Sequence, residues 1–201
     1  LTISADSGIT DLTGMEQLCW LENLQCSGIS LERLDVSGFS ALKMLSCDGC
    51  GLKELLLPEE SLLEVLSCKQ NQLTSLELSR QSNLQELFCA DNQLCALQID
   101  GTKLASGTVA ADGNVAAISP DILGQLDLSQ LSGFSAEQAE NWTNGTVQDG
   151  VLTVADLSQP VTYTYYLDAA RTQTVQFTLQ PEEPLLPVDA VHFPDSAFRS
   201  Y

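Results

Sequence analysis

The sequence predicts a mostly β chain with few helices: a right-handed solenoid of 21-residue turns, followed by a small β-sandwich-like domain. Three observations predict it. The first is self-similarity. Displaced by 21 residues, the stretch Leu31–Leu94 falls on itself, so Leu31, Leu52, Leu73 and Leu94 share one column, Leu34, Leu55, Leu76 and Leu97 the next, and Val36, Leu57, Leu78 and Ile99 a third. The second is the strictness of the other half-repeat. Leu24, Leu45, Leu66 and Leu87 recur, each followed two residues later by Cys26, Cys47, Cys68 and Cys89. The third is the failure of the period near Leu104, after which strand and turn signals take over. A fixed period in the 20 to 29 residue range is the signature of a leucine-rich repeat solenoid of the α/β type. No single turn of such a chain buries its own leucines, so stacking is obligatory.

Residues 1–30 open the solenoid. Ile9, Leu12, Met15, Leu18, Leu21 and Leu24 recur every three residues, which fits neither a clean helix nor a clean strand but does fit leucine-rich bends. Gly8, Gly14 and Gly28 interrupt helix continuation. Trp20 is expected to pack in this atypical first turn.

The regular turns run from 31 to 104. Leu87 and Cys89 are two apart and face inward on a strand, while Glu86 and Phe88 face outward. Asn92 falls at the following bend, where an amide can satisfy backbone groups that the bend leaves unpaired. Asn71 holds the same place one turn earlier, but position 50 is Cys and position 29 is Ile, so the asparagine ladder is interrupted.

The units L-x-x-L-x-V-S and L-x-x-L-x-C-x-x-N-x-L resemble those of leucine-rich repeat surface proteins of gut-dwelling bacteria, similar in outline to internalins. The opening Ile9-Thr-Asp-Leu-Thr-Gly-Met-Glu-Gln-Leu18 resembles the lead-in of that group. The resemblance covers about half the chain. It implies secretion or surface display, binding to a protein or other ligand, and an immunoglobulin-like cap after the repeats.

We place the domains at 1–106 for the solenoid, 107–180 for a β-rich cap, and 181–201 for a Pro-rich linker and the start of a following module. Val115–Ile118 is read as a terminal strand of the repeats. Asp121–Gln130 and Ser135–Glu140 are read as short helical turns, with Ser135 as N-cap. Thr146–Val154 is a hairpin, because Asp149-Gly150 accommodates the positive φ of a type I′ turn. Val161–Leu167 alternates as a strand, Thr174–Leu179 is its hairpin mate, and Trp142 and Phe177 are core candidates. The tail string Val191-His-Phe-Pro-Asp-Ser-Ala-Phe-Arg-Ser-Tyr201 resembles the opening of another module in the same group.

Composition narrows function. Eight Lys and Arg stand against 27 Asp and Glu, a net charge of −19 spread over both halves. Such a chain repels phosphate backbones and anionic membranes, so neither nucleic acid nor membrane insertion is expected. No apolar run approaches a membrane span. The chain starts inside a running pattern without Met, and we read it as a cut fragment whose signal and anchor lie elsewhere. The cysteines number seven, and a spacing of 21 is wrong for zinc knuckles. They are read as buried free thiols acting as small hydrophobes. Equivalent Cα atoms on neighbouring turns stand about 4.8 Å apart, a distance that does not by itself forbid bridges, but parallel side chains at one height would strain them. Cys47 and Cys50 form a C-x-x-C whose side chains are expected to point differently.

No catalytic constellation is present. The sole histidine, His192, lies in the tail, and no G-x-S-x-G, H-E-x-x-H or phosphate loop occurs. Enzymatic activity, cofactors and a metal site are therefore not expected. Asp91-Asn92 and Asp112-Gly113-Asn114 offer oxygens but lack a calcium-loop spacing, and Asn141 and Asn144 fit a glycosylation sequon but read as loop residues. The candidate surface is the outward strand face. One column holds Asn23, Met44, Val65 and Glu86, the next Gln25, Ser46, Ser67 and Phe88. Apolar groups at Met44, Val65 and Phe88 suggest a partner site. Three readings follow: recognition of a protein partner, host or cell-surface, by this extracellular or cell-surface chain; a structural spacer in a larger surface protein; and glycan binding by the β domain through Tyr163, Tyr165 or Tyr166.

Overall fold

The computed structural model describes residues 1–4, 7–9, 12, 14–59 and 61–182. Among them there is no α-helix, and helical structure is limited to short 3-10 turns such as Met15–Gln17, Leu128–Gln130 and Ala136–Gln138. The repeat half is a stack of coils. Each coil contributes a three-residue strand: β1 (Asn23–Gln25), then, across the coil, β2 (Arg33–Asp35), followed by β3 (Met44–Ser46), β4 (Glu54–Leu56), β5 (Val65–Ser67) and β6 (Glu86–Phe88). With β7 (Val109–Ala110), the strands β1, β3, β5 and β6 form one parallel sheet, while β2 and β4 pair on another side of the coil.

The register is the repeat made visible. Leu24 pairs with Leu45, Leu45 with Leu66, and Leu66 with Leu87. The amides of Cys26, Cys47, Cys68 and Cys89 each donate at 2.8 Å to the carbonyl at the end of the next coil's strand. Strands stay short because the backbone must turn inward at once. Gly28, Gly49, Gln70, Asp91 and Gly113 take that bend with φ of 77°, 64°, 55°, 56° and 73°. Two of the five carry a side chain in a region L-residues seldom occupy. The four inward leucines at 24, 45, 66 and 87 and the four ladder cysteines are fully buried. Each such leucine contributes roughly 1.5–3 kcal/mol on burial.

At the first coil, Leu1–Ile3 runs beside β1, with the Ile3 amide on Gln25 O at 2.8 Å and the Gln25 amide on Leu1 O at 2.9 Å. Burial grows toward β1: Leu12, Met15 and Leu18 are half-buried, Leu21 and Leu24 buried. Trp20 departs from expectation and is 68% exposed.

The last coil carries one extra residue. Leu87 pairs with Val109 and Phe88 with Ala110, so the sheet runs past residue 106. Ala111 then stands in the thiol file and is buried. The Asn114 side-chain amide closes this coil (below). Val115–Ile118, β8, does not extend the repeat sheet. It pairs in parallel with β14 (Thr174–Pro181) of the C-terminal unit, and its Val115 amide donates to Asn92 O at 3.0 Å. Its alternating burial lets it complete that unit's sheet instead.

The C-terminal unit has two sheets. One holds β10 (Ala139–Thr143), β13 (Val161–Tyr166), β14 and β8 in that order. The other holds β11 (Gly145–Gln148), β12 (Val151–Val154) and β9 (Gln125–Asp127). β9 lies where a helical turn was expected. Gly124, at φ 76°, ends any helical run, and Leu126 alternates inward between exposed Gln125 and Asp127. Around Ser135 the 3-10 turn forms, without a side-chain cap. The β11–β12 hairpin turns at Asp149 and Gly150, both with positive φ, as the dipeptide requires. β13 and β14 pair antiparallel from Tyr166–Thr174 to Val161–Leu179. Their shared face buries Tyr163, Tyr165 and Phe177, with Trp142 stacked on Tyr163 at a centroid distance of 4.4 Å. The tail from 183 on, with His192 and the module-like string, lies outside the described residues.

Candidate protein-binding face

Register builds the outward face. Because β1, β3, β5 and β6 pair without slip, Asn23, Met44, Val65 and Glu86 fall in one column. Gln25, Ser46, Ser67 and Phe88 fall in the next, and Ala110 extends it. Met44 is 37% exposed, Val65 and Phe88 are half-buried, and Asn23, Gln25 and Glu86 are exposed. Met44 and Val65 are thus direct cross-strand neighbours, and Phe88 stands one strand on, in the adjoining column.

A polar network underpins the second column. The Ser27 and Ser46 hydroxyls lie 3.0 Å apart, and Ser27 Oγ accepts from the Asp48 amide at 3.0 Å. Asp48 accepts from Ser67 Oγ at 2.7 and 3.0 Å and from the Lys69 amide at 2.8 Å. The Lys69 ammonium sits 3.6 Å from Asp48 and 5.8 Å above the Phe88 ring. The Lys69 cation thus lies between Asp48 and the face of the Phe88 ring. Beside the first column, Lys43 pairs with Glu22 at 3.0 Å. Glu64 and Glu86 make no ion pair among the described residues.

The ladder beneath is asparagine and thiol. Asn71 Oδ1 accepts from the Cys50 and Leu52 amides at 3.0 Å, and its Nδ2 donates to the Cys47 and Cys68 carbonyls at 2.9 Å. Asn92 repeats this with the Leu73 amide at 3.0 Å and Cys68 O at 2.9 Å. Asn114 is a third rung that the sequence pattern concealed, since the extra residue puts it out of phase. It accepts from the Leu94 amide at 3.1 Å and donates to Cys89 O at 3.1 Å and Ala111 O at 2.7 Å. Asn92 and Asn114 are thus buried and bonded to backbone through both ends of their amides. All seven cysteines are free, and all but Cys19 are buried. Burial pushes the Cys47 and Cys68 thiols far up and the Cys89 thiol to about 12.

The glycan-stacking candidates do not sit on a surface. Tyr163 and Tyr165 are fully buried, because alternation on β13 turns both into the core. Their hydroxyls face the repeats: Tyr163 donates to Cys95 O, and Tyr165 accepts from Gln98 Nε2 at 3.2 Å. Tyr166 faces out, but its ring lies under Arg171 at 4.5 Å and its hydroxyl donates to Glu140. The Asn144 amide, one of two sequon residues, donates to Asp156 O at 2.8 Å and Gln159 O at 2.9 Å and shapes a loop. A hollow of about 600 Å³ is lined by Ser40, Ser61, Ser79, Arg80 and Ser82 and includes no residue of the outward columns. Among the described residues no group of three or more His, Cys, Asp or Glu converges to hold a metal ion, and no helix is long and apolar enough to cross a membrane.

No protein-family model matches the chain. No curated protein matches it either. Among solved structures it is similar to the functional domain of InlJ from Listeria monocytogenes, described as including a cysteine ladder, at 16% identity and a TM-score of 0.39. That alignment covers 84% of this chain and 50% of the other, so the chain spans about half the length of that structure.

Proposed function

We propose that this chain is a non-catalytic, secreted or surface-displayed module that recognises a protein partner through the outward face of β1, β3, β5 and β6. The observation that carries the reading is the adjacency of Met44, Val65 and Phe88 on a sheet whose register is fixed by a buried leucine at every step. Apolar groups held rigidly at a surface lose little entropy on binding, and an aromatic among them is a favoured anchor. Exposed Asn23, Gln25 and Glu86, with half-buried Ser46 and Ser67, form the polar surround. The C-terminal unit serves as a cap, its aromatic core seated against Cys95 and Gln98 of the last coil. In this role it covers the apolar interior of the last coil, while the repeat sheet itself ends on β7.

The test is a paired capture experiment. The chain and its Met44→Asp/Phe88→Asp variant are each used to capture surface-labelled host cell proteins, quantified side by side. A partner retained by the parent and lost by the variant supports the face. Identical captured sets assign the face no binding role. They favour a structural spacer instead, a reading supported by how fully Asp48, Ser67 and Lys69 satisfy one another within the chain.

A further inference from the structure

Charge is unevenly settled on the outward face. At the entry to β1 and β3, Glu22 is paired with Lys43 at 3.0 Å. Past the ends of β3 and β5, Asp48 is paired with Lys69 at 3.6 Å. At the entry to β5 and β6 no cation answers. Glu64 and Glu86 are both exposed there and make no ion pair among the described residues. The backbone holds these two positions together, because the Gln85 and Glu86 amides both donate to Glu64 O, at 2.8 and 3.1 Å. Glu86 is also the cross-strand neighbour of Val65, and Val65 that of Met44. Phe88 follows on the same side of β6. One row of the face thus passes from a thioether through an isopropyl group to a carboxylate, with a second carboxylate and an aromatic ring alongside.

That order restricts what can cover it. A purely apolar group over Met44 and Val65 would draw the adjoining Glu86 out of water with no counter-charge, which is costly. An anionic ligand meets two carboxylates and is repelled. A second copy of the chain is repelled as well, since each carries a net charge of −19. A lysine would answer the carboxylates only as a point charge. An arginine matches the whole row. Its methylene stem lies along apolar groups while its planar guanidinium presents several N–H donors to carboxylate oxygens. The Phe88 ring already has Lys69 at 5.8 Å, so a second cation is drawn to the glutamates and the ring is left for apolar contact.

Taking the outward face as the binding face, we propose that the protein partner anchors there through an arginine, its stem along Met44 and Val65 and its guanidinium held by Glu86 and Glu64. The apolar pair and the carboxylates then select different parts of one side chain. Charge also sets the approach, as an acidic face draws a basic patch toward it before contact.

Titration of the nitrogen-15-labelled chain with acetyl-Leu-Arg-Leu-amide, beside its uncharged isostere acetyl-Leu-citrulline-Leu-amide, tests this. The arginine peptide should move the Val65, Glu86 and Phe88 amides and bind about fivefold more tightly than the citrulline peptide. That advantage should vanish in about 1 M salt, where charges act only within about 3 Å. It should vanish too in the Glu64→Gln/Glu86→Gln variant, whose Tyr163 and Phe177 resonances should stay in place and report an intact fold. Three results overturn it: the arginine peptide leaves the face unmoved, the citrulline peptide binds as tightly, or the glutamine variant keeps the preference. Failure of the face itself reads differently. Identical capture by the parent and the Met44→Asp/Phe88→Asp variant removes face and arginine together. A captured partner lost by that variant but fully retained by Glu64→Gln/Glu86→Gln leaves the face standing and removes the arginine alone.

Discussion

The Cys50 thiol donates to the Cys26 carbonyl at 3.1 Å, in the place where, one coil later, the Asn71 amide donates to the Cys47 carbonyl at 2.9 Å. A single weak donor thus fills a rung that elsewhere carries an amide with two strong donors and an acceptor. Replacing Cys50 by Asn should restore the missing bonds, since the coils at 71, 92 and 114 accommodate that side chain at the same bend. Cys50→Asn is expected to stabilise the chain by about 1 kcal/mol, read as a higher urea midpoint at unchanged slope. A lower midpoint would mean that the first coils are packed to fit sulfur.

Thiol reactivity separates the ladder from the surface. Only Cys19 is exposed. Burial withholds the others from solvent and raises the thiols of Cys47, Cys68, Cys89 and Cys95, that of Cys89 to about 12, while a hydrogen bond with Cys26 lowers the Cys50 thiol to about 7. Since the thiolate is the reacting species, a native chain given a thiol reagent at pH 8 should label at Cys19 within minutes. The remaining six should label only at the rate of unfolding. Mass spectrometry of timed samples checks this, and fast modification of Cys47 or Cys68 would contradict a sealed file.

Much of the solenoid was legible because each coil repeats the same solution in the same residues. Leu24, Leu45, Leu66 and Leu87 announce the sheet, and the cysteines two residues later announce the file beside it. Legibility fails where the repeat is kept by different atoms. Ala111 and Asn114 continue the last coil one residue out of phase, so a search at a step of 21 misses them. Gln70 and Asp91 adopt positive φ without being glycine, because the bonds of the flanking ladder impose the bend. Trp20 was expected to pack, yet packing depends on a neighbour that sequence spacing does not supply. For the outward face, the columns could be read from alternation, but the Asp48, Ser67 and Lys69 network beside Phe88 could not, as it joins residues 19 to 21 apart through side-chain reach. Tyr163 and Tyr165 looked like sugar platforms because alternation alone puts them on one face without saying which face is buried.

Gly113 marks the tightest point of the last bend. A β-carbon placed there would lie 2.3 Å from Asp91 Oδ1, and the backbone holds φ at 73°. Gly113→Ala should therefore destabilise by about 1–3 kcal/mol. Part of that is steric and part conformational. In the Asp91→Ala/Gly113→Ala double variant the clash is gone, so the loss should shrink while a residue remains from φ alone. A double-mutant cycle by chemical denaturation measures the split. Strict additivity would show that Asp91 simply moves aside.

The C-terminal unit is tied to the last coil by few polar contacts around a shared apolar interior. Tyr163 donates to Cys95 O, the Ile99 amide to Leu167 O at 2.8 Å, and the Ala169 amide to Asp100 at 3.1 Å. Tyr163 is fully buried, so removing its hydroxyl leaves the Cys95 carbonyl without a partner in a dry site. Tyr163→Phe should destabilise by about 1–3 kcal/mol. Its location predicts how the loss is distributed. If the unit and the solenoid share one cooperative core, protection factors of the Ile99 amide and of the Leu66 and Leu87 amides should fall together in hydrogen exchange. A fall confined to Ile99 and β13 would mean that the unit opens separately, leaving the coils folded beneath it.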